Sequence, residues 1–158
     1  MEDIKTVGLG IGWQDQPVGS RFKTVGRTIT ETDLVNFIST TGMLEGLFTN
    51  IHEAEIKGGR LVPAALIYSM CEGLLVQGML QGVGFAFLHM ELDVKGPTFV
   101  GDTIHVVSEI IESRPSKGKP GLGMVRARNE VRKHDGTLVM VYTRCACSRA
   151  ATTSLNKG

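Results

Sequence analysis

From Leu88 to Lys95 the chain alternates without interruption: Leu88, Met90, Leu92 and Val94 are apolar, while His89, Glu91, Asp93 and Lys95 are polar. A period of two predicts a strand with one buried and one polar face. Gly96-Pro97 ends it, and Gly101-Asp102 precedes an Ile- and Val-rich strand expected from Thr103 to about Ser113. Arg114 to Gly121, with three cations and two prolines, is expected to be a hairpin loop. Met124 to Lys133 forms the next strand, Asp135-Gly136 signals a tight hairpin, and Leu138 to Ser148 closes the sheet.

The first half of the chain has a helical period instead. Thr30 with Asp33 three residues later has the form of a capping box, Leu34, Phe37 and Ile38 share one face, and Gly42 is placed to stop the helix. Gly42 to Arg60 is a loop with a short helix, longer than a connection requires. Pro63 suits the first turn of a second helix, Ala64 to Leu80, which is apolar on nearly every side. Its Ala64, Ala65, Ser69 and Gly73 permit close approach, and Gly78, Gly82 and Gly84 mark the exit. Residues 1 to about 20, and those from Ser148 onward, are weakly patterned and expected to be loose. A helix buried on all sides, followed by long antiparallel strands, requires a sheet that curves around it. That is the α+β hotdog fold: an antiparallel sheet wrapped around a long central helix, here as a single domain over residues 1–158 with its core at about 17–149. The regular strand edges are expected to pair in a dimer.

Composition narrows the function classes. With 158 residues and 42% hydrophobic content, one core is expected. Seventeen Lys+Arg against sixteen Asp+Glu leave a charge of +1, so no global field exists to hold nucleic acid or an anionic membrane. The start, Met1-Glu2-Asp3-Ile4-Lys5, places acids where a secretory signal is basic. The most apolar stretch, Leu61 to Leu80, is interrupted by Glu72, Gln77 and two glycines, which suits a buried helix rather than a membrane span. A cytoplasmic location is expected. Cys145 and Cys147 are alternate strand residues on one face, a poor disulfide geometry, so reduced structural thiols are expected.

Three segments carry a resemblance: Phe37-Ile38-Ser39-Thr40-Thr41-Gly42, Gly59-Arg60-Leu61-Val62-Pro63, and Gly96-Pro97-Thr98-Phe99-Val100-Gly101-Asp102-Thr103. Over roughly residues 17 to 149 the chain resembles the MaoC-like hydratase/dehydratase family, which includes (R)-specific enoyl-CoA hydratases. The resemblance implies a hotdog dimer, homodimeric or formed with another hotdog subunit, acting on acyl thioesters of coenzyme A or acyl carrier protein. It implies no cofactor, coenzyme A being part of the substrate. Standard members carry Asp-x-Asn-Pro-x-His-x-Asp after a Gly, and that Asp and His activate the water added to an enoyl thioester. Aligned without a gap after Gly42, the Asp falls on Met43, the Asn on Glu45, the Pro on Gly46, the His on Phe48 and the second Asp on Asn50. Neither Met nor Phe transfers a proton, so the dyad is degenerate.

Glu45 and His52, in the same loop, are the candidates for a displaced acid/base pair. Met43, Phe48, Asn50 and Arg60 are the candidate substrate contacts there. Arg114, Ser116 and Lys117 on the hairpin loop are candidates for the phosphates of coenzyme A. His89 and Glu91 share the polar face of a strand, and His105 and His134 are assigned to structure. Glu72, a carboxylate inside an apolar helix, must find a partner or stay neutral. No Cys/His spacing suits a metal. The leading expectation is a hydratase/dehydratase or a subunit of one. The alternative is a non-catalytic acyl-CoA-binding or structural hotdog subunit in which Met43 and Phe48 line an apolar pocket.

Overall fold

The computed structural model describes residues 4, 6–56 and 58–150. Helix α1 (Glu31–Thr41) begins with the expected box: Thr30 Oγ1 accepts the Asp33 N–H while the Asp33 carboxylate accepts the Thr30 N–H. Gly42 ends it at φ 74°, a left-handed conformation that a residue without Cβ adopts freely, and donates its N–H to Ile38. The long loop folds into two short helices, α2 (Gly46–Thr49) and α3 (Ile51–Ile56). The central helix α4 (Ala64–Leu75) loosens at its end into a π turn, Val76–Leu80.

Six strands form one antiparallel sheet: β1 (Arg21–Lys23), β2 (Arg27–Thr28), β3 (Gly84–Val94), β4 (Thr103–Pro115), β5 (Leu122–Lys133) and β6 (Leu138–Arg149). Their order is β1-β4-β5-β6-β3, with β2 also on β4. Ile110 and Val125 pack with Ala127 against Trp13 and Phe22, whereas Ile104 and Val106 of β4, Val131 of β5, and Met140 and Tyr142 of β6 turn their side chains toward α4. From the helix, Leu66, Ile67, Met70, Cys71, Leu74 and Leu75 meet them. Each aliphatic side chain so buried contributes about 1.5–3 kcal/mol. This is the hotdog arrangement, with the helix wrapped by the sheet.

Three expectations need correction. The apolar side of β3 is not buried in the single chain: Leu88 is 52% and Val94 56% exposed, and Met90 is exposed as well. A helix about 10 Å across spans only two or three strands spaced about 4.8 Å apart, and α4 lies over β4, β5 and β6, so that of this row on edge strand β3 only Leu92 packs partly against the core. The N-terminal flank is not loose where it is described. Gly10 donates to Gln81 (2.7 Å) and Ile11 to Met79 (2.8 Å), strapping the segment across the π turn. Gln16 is 2% exposed, and Trp13 lies on Gly123, where an added Cβ would stand 2.2 Å from the indole. Nor does order end at Ser148, since it is buried and β6 runs to Arg149. The acids at Glu2 and Asp3 and the tail from Ala151 lie outside the described residues. The short strands β1 and β2 were not expected at all. Cys71, Cys145 and Cys147 are free and buried. No helix among the described residues is long and apolar enough to cross a membrane.

Candidate functional site

The segment entering α4 is pinned to the turn between β3 and β4. Val62 donates to the Thr98 carbonyl and Val100 to that of Arg60, each at 2.9 Å, and Leu61 bridges Phe99. Asp102 holds that turn: its carboxylate accepts the Phe99 N–H at 2.8 Å and meets Lys133 Nζ at 2.7 Å. These ties leave a cavity of about 280 Å³ at the N-terminal end of α4, walled by Phe48, Leu61, Ala64, Ile67, Val94 and Met140 among others. Among the described residues its lining contains no titratable side chain, and Thr98 is its one polar side chain. Leu66 donates its N–H to the Pro63 carbonyl at 3.0 Å, whereas the N–H groups of Ala64 and Ala65 find no backbone acceptor among the described residues, and Ala64 brings that end to the cavity.

Phe48, on α2, is 7% exposed and packs on Leu34 and Ile38 of α1. Met43 is half-buried against the same cluster. Arg60 is a clamp: Nη1 donates to the Phe48 carbonyl, while Nε and Nη2 grip the Glu31 carboxylate, the latter at 2.6 Å. It thereby fixes the backbone of Phe48 over the cavity. Asn50 is exposed; its Oδ1 accepts the His52 N–H at 3.0 Å and its Nδ2 donates to Glu53 at 3.4 Å. Glu45 and His52 are both exposed, neither borders the cavity, and among the described residues no hydrogen bond or ion pair joins them.

The hairpin candidates lie elsewhere. Arg114 Nε donates to Glu112 at 2.7 Å, Ser116 donates its N–H to Leu122 at 2.8 Å, and Lys117 is exposed. This tip adjoins Leu122, whereas the cavity lies beside Met140, which pairs with Val131. Nine residues of strand, roughly 30 Å, separate the two. His89 and Glu91 meet at 3.3 Å on exposed β3.

Glu72 has its partners. Tyr142 Oη donates to Oε1 at 3.2 Å, Arg144 Nε stands 3.5 Å from Oε2, and Tyr68 packs edge-on against Tyr142. Burial raises the Glu72 carboxyl above its usual range, with Arg144 and the Tyr142 hydroxyl pulling it back. Burial, aided by Glu72, pushes the Cys71 thiol up to about 12, so it is no nucleophile at neutral pH. Asn129 beside them is fully buried with neither side-chain atom bonded. Arg144 escaped the sequence reading, although the signal exists: it shares the register of Met140, Tyr142 and Ala146, a core-facing row where a cation is out of place. Among the described residues no cluster suited to a metal ion occurs.

A family model described as "FAS1-like, dehydratase domain region" matches residues 16–142. No curated protein matches the sequence. Among solved structures, a MaoC-like dehydratase from Rhodospirillum rubrum superposes with a TM-score of 0.78 at 22% identity, covering 90% of this chain and 99% of that one. An unliganded R-hydratase from Pseudomonas aeruginosa gives 0.74 at 19% identity, covering 90% and 88%. A conserved hypothetical protein from Mycobacterium tuberculosis with a double hotdog fold gives 0.76 at 21% identity; 97% of this chain matches 48% of that one.

Proposed function

Because the chain belongs to the FAS1-like dehydratase-domain family of MaoC-like hotdog proteins, we propose that it is an acyl-thioester-binding subunit of a hydratase/dehydratase whose acid and base come from a second hotdog domain. The observation that carries this reading is the cavity under Phe48: apolar, set at the first turn of α4, and free of titratable lining. An enoyl or 3-hydroxyacyl thioester fits it with the acyl chain along Ile67 and Met140. The carbonyl oxygen then meets the unpaired N–H groups that begin α4, where the helix dipole favours developing negative charge.

Hydration adds oxygen at C3 and a proton at C2, and dehydration reverses both transfers. A carboxylate and an imidazole perform such transfers, whereas Met43 and Phe48, at the aligned positions, exchange no protons. What this chain contributes is binding, orientation and exclusion of water. Coenzyme A or carrier protein enters only as part of the substrate. The second domain docks on β3, whose Leu88, Met90 and Val94 are exposed along an open edge; the double hotdog fold of the Mycobacterium tuberculosis protein supports this reading.

The test is to measure crotonyl-CoA binding by calorimetry and its hydration by loss of enoyl absorbance, with the chain alone and with a dyad-bearing hotdog partner. Binding without appreciable turnover by the isolated chain, and turnover on addition of the partner, are expected. Rapid turnover by the chain alone, abolished by Glu45→Gln with His52→Asn, would establish a relocated dyad instead.

A further inference from the structure

At the opposite end of the central helix a second cavity, of about 320 Å³, opens between the π turn, β6 and the first residues of β3. Ala64 and Leu80 are separated by roughly 25 Å of helix, so this space is distinct from the one under Phe48. Backbone irregularities converge on it. The π turn supplies Val76 and Leu80, and β3 slips register against β6 twice, between Gly84 and Ala86 and between Phe87 and His89. Such features forgo regular hydrogen bonding and are concentrated where they shape a site.

The wall also holds a charge. Arg144, whose side chain is 12% exposed, borders the cavity, and its Nε is shielded from solvent without a hydrogen-bond partner. Glu72 approaches that Nε at 3.5 Å without completing a bond. Phe87 lies 5.3 Å from the Arg144 guanidinium. At the mouth, the Phe85 ring is capped by Lys119 Nζ at 4.7 Å and by the Arg149 guanidinium at 5.5 Å. A positive field therefore surrounds two phenyl rings, with a forked donor at its base. A guanidinium fork matches a carboxylate, the apolar walls match an alkyl chain, and the volume suits a small organic molecule.

We propose that this cavity binds an amphipathic monocarboxylate of medium chain length, its carboxylate on Arg144 and its alkyl chain along Leu80, Phe85 and Phe87. The inference stands apart from the thioester reading and survives its failure. Calorimetry of the full chain with sodium octanoate should show saturable binding, with 1-octanol at least tenfold weaker. Arg144→Lys keeps the charge and loses the fork, and should weaken octanoate at least tenfold. Ala86→Trp, which fills the cavity from an edge strand, should abolish binding while circular dichroism stays unchanged. Ala64→Phe, filling the other cavity, should leave octanoate affinity as it was. No saturable binding to the wild-type chain, whether monomeric or sealed by a second copy, overturns the proposal. So do equal affinity for octanol, effective competition by inorganic phosphate, and loss of binding in Ala64→Phe but not in Ala86→Trp.

Discussion

The N-terminal end of α4 is held by backbone hydrogen bonds among neighbouring loops and surrounds its cavity with apolar side chains, whereas the C-terminal end gathers Glu72, Tyr142 and Arg144 from helix and sheet. The first kind of construction leaves space without chemistry. The second sets charges in a low-dielectric environment and makes the fold depend on their pairing. One helix therefore carries a binding end that offers backbone dipoles but no titratable side chain, silent to pH, and a polar end that governs response to pH.

The comparison can be broken most strongly by giving the silent end a proton-transfer pair. Met43→Asp with Phe48→His should raise enoyl-thioester hydration by the isolated chain by about 10²-fold or more, because each acid/base group contributes ~10²–10⁴. Stopped assays against the parent chain decide it; an unchanged rate would remove these positions from the chemistry.

Removing the cation from the polar end comes next. Arg144→Met should cost about 3 kcal/mol near neutral pH, since it strands Glu72. Glu72 binds its proton more tightly folded than unfolded, so its contribution favours the fold at acid pH and is lost as pH rises through the folded value. Arg144 pulls that value down, and without it the loss should deepen. The gap between variant and parent, measured by urea unfolding, should be widest near about pH 7 and close towards about pH 4.

Two smaller changes sharpen the contrast by loosening each end mechanically. Gly123→Ala should cost about 2 kcal/mol, because its Cβ would intrude on Trp13, and should shift the Trp13 fluorescence. Arg60→Ala should cost about 1–2 kcal/mol and raise the Kd for crotonyl-CoA, since the Phe48 carbonyl loses its clamp. Smallest of all, Arg114→Ala with Lys117→Ala should leave crotonyl-CoA affinity of the isolated chain within about twofold, given the roughly 30 Å between tip and cavity.

Local grammar made much of this fold legible. The Thr30–Asp33 box, Gly42 and the Asp135-Gly136 hairpin act within a few residues, and the alternation in β4 to β6 reports one continuous core face. Phe48 was found as a cavity residue because the ungapped frame after Gly42 preserves the spacing to Pro63. The exposed apolar row of β3 was misassigned because alternation shows that a face is apolar, without showing what covers it. The strap from Gly10 to Gln16 has no period, its order resting on contacts with Met79, Gln81 and Gly123. Glu72 was conspicuous as an anomaly, but its partners stand some seventy residues away in sequence.

The strap also bears on how the chain assembles as it is synthesised. Gly10, Ile11, Gly19 and Ser20 are made well before their bonding partners at Met79, Gln81 and Ile110, and Trp13 waits for Gly123. Gly10 and Ile11 can dock only once Gln81 has left the ribosome, β1 and β2 only once β4 has, and Trp13 only once β5 has. Docking of residues 10–28 is thus a late, long-range closure, the slowest class of contact to form. A nascent chain stalled before residue 123 lacks β5 and β6 and should expose the inner edge of β4 and the whole of β3 to chaperones, whereas the finished sheet leaves only its terminal strands, β1 and β3, with open edges.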